Sequence, residues 1–234
     1  MIILFISDVH YTHETFHGIY QGLAWSRLLD VVYRTKPDLI LSAGDWDRRI
    51  SREEFEGLLK EVPVLSIYGN HENMEVLEQL RNPLLENRPV LVEDGEVVEV
   101  EGVRISGISG VLSKTGKPKR GVPRKTEEEY MEICKKLRPV NFLLIHEAPA
   151  IPEFEGITRL NPHTKTVLEC LKRVKADLIL GGHIHETPYT IHLGEFKYLR
   201  VDSSQRHRAY ALIDTEERRV EVFIDKEKVE EFEY

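Results

Sequence analysis

Five apolar runs in this chain each end by presenting aspartate, asparagine or histidine. Ile2–Ile6 is followed by Asp8-Val9-His10, and Asp38–Ser42 by Gly44-Asp45. Val62–Tyr68 leads into Gly69-Asn70-His71-Glu72, and Asn141–Ile145 into His146. Asp177–Leu180 leads into Gly181-Gly182-His183-Ile184-His185. Carboxylate and imidazole together suit a divalent transition metal, with manganese the first choice and iron, zinc or nickel as alternatives. Asparagine adds a weaker, neutral oxygen. The candidate ligands Asp8, His10, Asp45, Asn70, His146, His183 and His185 are too many for one ion. They suffice for two ions that share a carboxylate. Two ions about 3.5–4 Å apart clamp a phosphoryl group for in-line displacement and turn bound water into hydroxide near neutral pH.

These groups lie far apart in sequence, so the fold must gather them. The first half alternates buried-strand runs with amphipathic patterns. Ile19, Leu23, Leu28 and Val32 predict one helix, and a second opens at the capping box Ser51-Arg52-Glu53-Glu54. A third is predicted over Asn73–Leu80. This alternation implies right-handed crossovers and a parallel sheet. The carboxyl ends of parallel strands face one crevice, so the five blocks should converge there. Val90–Val92, Glu96–Val100 and Val103–Ser106 read as short hairpin strands around Asp94-Gly95 and Glu101-Gly102. Helices follow at Thr126-x-x-Glu129 and Asn161-Pro162. The tail reads as a meander over Thr190–Leu193, Phe196–Val201, Ala209–Ile213 and Val220–Ile224. The expected fold is α/β, two sheets each covered on its outer face by helices, with residues 1–234 as one domain.

Composition bounds the function. The chain has 234 residues, 41% apolar and 31% charged, which excludes a disordered, collagen-like or disulfide-framework protein. Net charge is −8, which argues against an overall basic nucleic-acid or membrane binder. Ile2–Ile6 is too short for a signal or a membrane span, so a cytoplasmic protein without membrane contact is expected. Cys134 and Cys170 lie on apolar helix faces with no C-x-x-C spacing. They read as core residues in a reducing compartment. Abundant glutamate with only three glutamines fits a thermophile.

Other features have plainer readings. Alone, Asp8-x-His10 would be a turn or cap, and His146 a satisfied core histidine; the joint pattern is what carries weight. His13-Glu14-Thr15-Phe16-His17 matches H-E-x-x-H, but that motif needs a stable helix and Gly18 follows directly. His13 or His17 reads instead as a substrate contact. Trp46 is a candidate lining residue, Trp25 a packing residue and Asp47 a helix cap. His163, His192 and His207 carry no motif and read as surface or packing.

The order D-x-H, G-D, G-N-H-E, H, G-H-x-H resembles the calcineurin-like metallophosphoesterase superfamily, from Asp8 to His185. The resemblance implies a four-layer α/β/β/α sandwich of two mixed sheets flanked by helices. It implies that Asp8, His10 and His185 hold one metal ion, that Asn70, His146 and His183 hold another, and that Asp45 bridges them. His71 would protonate the leaving-group oxygen, and Asp45, Asn70 and His71 form the catalytic set. Metal-bound hydroxide would attack a phosphodiester in line. Phosphomonoesters, a nuclease activity on single-stranded or damaged nucleic acid, or a non-catalytic scaffold are the alternatives. The blocks at Ser7–Tyr11 and His146-Glu147-Ala148 differ from those of phosphoprotein phosphatases. His71 stands where compact bacterial phosphodiesterases often have cysteine. Dimerisation is common in the family, so a homodimer is an expectation.

One stretch points to the substrate. From Gly102 to Thr126 there is no acidic residue, while Arg104, Lys114, Lys117, Lys119, Arg120, Arg124 and Lys125 occur. A basic loop near the catalytic rim would attract a phosphate ester such as a nucleotide or oligonucleotide. A solvated surface loop is the plain alternative.

Overall fold

The computed structural model describes residues 1–16 and 18–234. Its centre is a pair of six-stranded sheets. The first runs in the order β16 (Glu227–Glu233), β15 (Arg219–Ile224), β14 (Ala209–Asp214), β1 (Ile2–Ile6), β4 (Leu39–Ser42), β5 (Val64–Ser66). The second runs β12 (Tyr189–Leu193), β13 (Lys197–Val201), β11 (Ala176–Gly181), β10 (Val140–Ile145), β9 (Val103–Ile108), β8 (Val98–Val100). Two short ribbons pair β2 (Thr15–Phe16) with β3 (Ile19–Tyr20), and β6 (Arg81–Asn82) with β7 (Arg88–Pro89). Strands β1, β4 and β5 are parallel, as are β9, β10, β11 and β13.

The apolar runs are continuous because both faces of each central strand are covered. On β1, Ile3 and Phe5 face the other sheet, while Leu4 and Ile6 face helices. Leu144 of β10 meets the same inter-sheet core as Phe5. Leu143 and Ile145 turn outward to helices α4 (Glu127–Lys136) and α5 (Pro162–Leu171). The opposite outer layer is α1 (Ala24–Thr35) and α2 (Arg52–Glu61), with Trp25, Leu28, Phe55 and Leu58 buried. This is the expected four-layer mixed α/β sandwich. The capping boxes at Ser51 and Thr126 form as the sequence predicts.

Several local readings change. The helix predicted over Asn73–Leu80 is one turn, α3 (Met74–Leu77). Beyond it the bonds tighten to Gln79 N–H to Val76 O and Leu80 N–H to Leu77 O. Val90 and Val92 bond to Ser66 and so extend the first sheet rather than form a hairpin of the second. The tail is not one meander: β12 and β13 complete the second sheet, and the chain then crosses to build β14–β16 on the first. Strand β16 escaped the sequence reading because it is a polar edge strand, Glu-Lys-Val-Glu-Glu-Phe-Glu. Cys134 and Cys170 are core residues, as expected, but they are bonded to each other across α4 and α5, with Cα atoms 5.8 Å apart. A separation of 36 residues gives no hint that the two helices lie side by side. Among the described residues no helix is long and apolar enough to cross a membrane.

Candidate metal centre

The carboxyl ends of parallel strands from both sheets meet at one edge of the sandwich. β1 delivers Asp8 and His10, β4 delivers Asp45, and β5 leads to Asn70 and His71. β10 delivers His146, and β11 delivers His183 and His185. The turns are sharp. Asp8, His10, Asp45 and His183 adopt left-handed backbone angles, with φ of 58°, 49°, 59° and 75°. Such angles cost roughly 1–3 kcal/mol each for non-glycine residues and persist only where the surroundings enforce them. Two glycines make room. A Cβ on Gly69 would lie 2.1 Å from Asp45 Oδ1 and 2.7 Å from His146 Nε2. A Cβ on Gly182 would lie 2.6 Å from Asp8 Oδ2.

The side chains form two adjoining clusters. In the first, His10 Nε2 lies 3.7 Å from Asp8 Oδ1, and His185 Nε2 lies 3.7 Å from the same oxygen. In the second, His146 Nε2 lies 3.5 Å from Asp45 Oδ2 and 3.2 Å from Asn70 Oδ1. Asp45 Oδ2 is also 3.5 Å from His10 Nε2, so one carboxylate oxygen stands between the clusters. Its other oxygen accepts the N–H groups of Asn70 (2.6 Å) and His71 (2.7 Å). His183 donates its backbone N–H to Asp8, and its ring packs edge-on against His146 with centroids 5.1 Å apart.

These donors fit divalent cations. Ligand atoms of Asp8, His10 and His185 lie within 4.8 Å of one another, as do those of Asp8, Asp45 and His146. His10 Nε2 is buried and, among the described residues, has no hydrogen-bond partner although it faces two carboxylates. The outer nitrogens are held in place. His146 Nδ1 contacts Ala43 O at 2.7 Å, His10 Nδ1 contacts Asp47 Oδ2 at 3.2 Å, and His185 Nδ1 lies 3.1 Å from Asp202 Oδ2. Holding Nδ1 outside points Nε2 inward, the usual arrangement of metal-binding imidazoles.

The charges support the same reading. Burial raises Asp8, but the imidazoles facing it, His10 first and then His185 and His146, bring it down to about 2. Burial opposes a charged His146, yet Asp45 pushes it up to about 10. The buried carboxylates thus hold protons on imidazoles where a cation would replace them. His71 differs: burial holds it below the ordinary histidine value despite Asp45. It is half-buried, edge-on to His10 at 5.3 Å between centroids.

Some positioning groups were not predicted. Glu72 is buried and ties the two loops together. Its Oε1 accepts N–H groups of Asp45 (2.6 Å) and Gly69 (2.9 Å), and Oε2 accepts that of Trp46 (3.1 Å). Burial and Asp45's charge push its carboxyl up to about 8 against the pull of those donors. Glu72→Gln places an amide N–H₂ against at least one backbone N–H. We expect it to lower unfolding free energy by roughly 1–3 kcal/mol, read by urea denaturation. Asp202 follows β13, so the strand-end pattern that singled out the candidate ligands would also have found it. His207 has no such signal, yet its Nε2 lies 2.8 Å from His185 O.

Trp46 is fully buried among Trp25 and Phe55 and donates to Ser66 Oγ; it does not line the site. Asp47 is not a helix cap, a role Ser51 fills; it contacts His10 and accepts the Arg48 N–H. The potential ligand atoms of His10, Asp47 and His71 also cluster within 4.8 Å, but both Asp47 oxygens are already engaged. His13 is exposed and contacts Tyr20 Oη, and His17 lies outside the described residues. Of the basic stretch, Lys125 is buried against Asp94 and Arg104 lies in β9; Arg120 reaches the cavity beside His71.

The profile of the calcineurin-like phosphoesterase family matches residues 1–187. One solved structure superposes with a TM-score of 0.61 at 14% identity, covering 95% of this chain and 98% of its own. A dimetal phosphatase from Danio rerio superposes with a TM-score of 0.59 at 14% identity, covering 99% of this chain and 97% of its own. A phosphoesterase from E. coli aligns over 99% of this chain and 98% of its own at 14% identity, with a TM-score of 0.47. No curated protein sequence matches the chain significantly.

Proposed function

The chain belongs to the calcineurin-like phosphoesterase family and is a metal-dependent phosphoric ester hydrolase; from that premise we propose that it is a dinuclear phosphodiesterase. The observation that carries this reading is Asp45 Oδ2, which stands 3.5 Å from both His10 Nε2 and His146 Nε2. A carboxylate so held is suited to bridge two cations. Asp8, His10 and His185 would hold one, and Asn70, His146 and His183 the other, with manganese the ion to test first. When bound, the two cations would polarise the phosphoryl group and supply a strong nucleophile from water at neutral pH.

The remaining work falls to the side chains. The backbone N–H groups of Asn70 and His71 fix Asp45, so the bridge is set before substrate arrives. The Asn70 amide, with Oδ1 turned to His146, has Nδ2 to donate to a phosphate oxygen. His71 donates a proton to the departing ester oxygen, which would otherwise leave as an unstable alkoxide. The functional unit is taken as residues 1–234, because β14–β16, beyond the matched segment, share a sheet with β1.

The choice of diester rests on the cationic cavity beside His71, which favours an extended anion. The test compares bis-p-nitrophenyl phosphate with p-nitrophenyl phosphate after metal stripping and reloading with Mn²⁺. We expect kcat/KM to favour the diester by roughly tenfold, about 1.4 kcal/mol of differential transition-state stabilisation. Faster monoester turnover would instead make the enzyme a phosphatase.

A further inference from the structure

Beside His10 and His71 lies a cavity of about 320 Å³ whose lining includes Arg48, Arg49 and Arg120. Two carboxylates share it, Asp47 and Glu14. Asp47 is occupied by His10 and the Arg48 N–H. Three guanidinium groups against two carboxylates leave a positive lining in a chain of net charge −8. Among the described residues, neither the Arg49 nor the Arg120 guanidinium has a hydrogen-bond or ion-pair partner.

Arg120 is brought there by construction. Lys119 and Val122 exchange backbone hydrogen bonds of 3.0 and 3.1 Å, which makes Arg120-Gly121 a two-residue hairpin tip. Both tip residues have positive φ, 55° and 84°. That pair of angles favours Asn-Gly, so arginine at the first position is strained without an intrinsic reason to be there. The tip is docked: Arg48 Nη2 donates to Arg120 O at 3.2 Å. The base of the loop is anchored where buried Lys125 meets Asp94 at 2.8 Å and Tyr68 Oη at 3.2 Å. The basic stretch is therefore a shaped arm rather than a free solvated loop.

We infer that this cavity is a subsite for a second phosphate, carried by the leaving group of the phosphoester. The inference rests on the diesterase reading above. His71, the proton donor to the leaving oxygen, lines this cavity, whereas His146 and His183 do not. The leaving group therefore departs on the arginine side. Guanidinium groups bind phosphate through paired N–H donors, and two uncommitted ones suit that ligand.

The test uses the Mn²⁺-loaded full chain and three dithymidine substrates: TpT, pTpT with a 5′-phosphate, and TpTp with a 3′-phosphate. One phosphorylated form should exceed TpT in kcat/KM by roughly 10- to 100-fold, the range of charge-assisted hydrogen bonds. Which form wins reports which ester oxygen departs. In Arg49→Ala/Arg120→Ala that ratio should fall close to one, and in the parent it should shrink as salt rises. No preference, or a preference that survives the double variant, overturns the inference. Bis-p-nitrophenyl phosphate is run alongside. Its hydrolysis without any dithymidine preference defeats the subsite and spares the diesterase reading. If it is not hydrolysed, the diesterase reading fails, and calorimetric titration with pTpT, TpTp and TpT decides the subsite. Tighter binding of a phosphorylated form that is lost in the double variant upholds it; equal binding of all three overturns it.

Discussion

Asp45→Ala should leave a protein that retains at most one tightly bound divalent ion and has lost its hydrolytic activity. The side chain is buried and all its contacts belong to the site. Oδ1 accepts two N–H groups, and Oδ2 faces two imidazole nitrogens at 3.5 Å. Alanine removes the proposed bridge and leaves the Asn70 and His71 N–H groups without that acceptor. It also removes the charge that raises His146. We expect activity to drop by more than about 10³-fold, beyond the usual cost of losing one preorganised electrostatic contact. Bound metal should fall from two ions per chain to one or none, read by elemental analysis after gel filtration. Asp45→Asn keeps the size and an acceptor oxygen but not the charge, so it separates metal loss from misfolding. Two ions per chain with hydrolysis intact in either variant would end the bridging assignment.

His71→Ala should behave differently, retaining both ions while slowing hydrolysis in a way that depends on the leaving group. Alkyl phosphodiesters, whose departing oxygen needs a proton, should slow by roughly 10²–10⁴-fold. Nitrophenyl esters leave without such help and should slow far less. His71 must be protonated to donate. The parent's rate on alkyl esters should therefore fall as pH rises through the His71 pKa in the substrate complex, and the variant should lack that alkaline limb. Burial lowers this pKa in the free protein, and an anionic ester bound beside the ring acts in the opposite direction. Equal slowing of both ester types would sink the proton-donor role.

Much of this candidate site was legible because its Asp, Asn and His residues follow buried strands. Ile2–Ile6 and Asn141–Ile145 are apolar on every residue or nearly so, which marks strands covered on both faces. Polar residues placed just past such strands must either be exposed or converge on one crevice. The same logic extends to Asp202 after β13, a residue that simple continuation of the pattern would have added. The capping boxes at Ser51 and Thr126 were equally legible, because capping is local chemistry within four residues.

What stayed hidden depends on neighbours far away in the chain. Glu72 could be seen in its motif, but not its role of accepting N–H groups from Asp45, Trp46 and Gly69. Trp46 sits next to a candidate ligand in sequence yet points into the core, where Trp25 and Phe55 pack against it. The cysteines were recognised as buried, but their pairing follows from the packing of α4 on α5.

By itself, the sequence determined the layered α/β architecture, the metal-suited residue set and the family it resembles. Each of those follows from local patterning: burial periodicity, strand-end chemistry and motif order. Only the tertiary structure decided which sheet each tail strand joins and which outer groups face the imidazole Nδ1 atoms. It also decided that Lys125 is buried while Arg120 reaches the cavity. Those outcomes turn on contacts between residues tens to hundreds of positions apart, and such contacts are selected by the packing of the whole chain rather than by any local run of it.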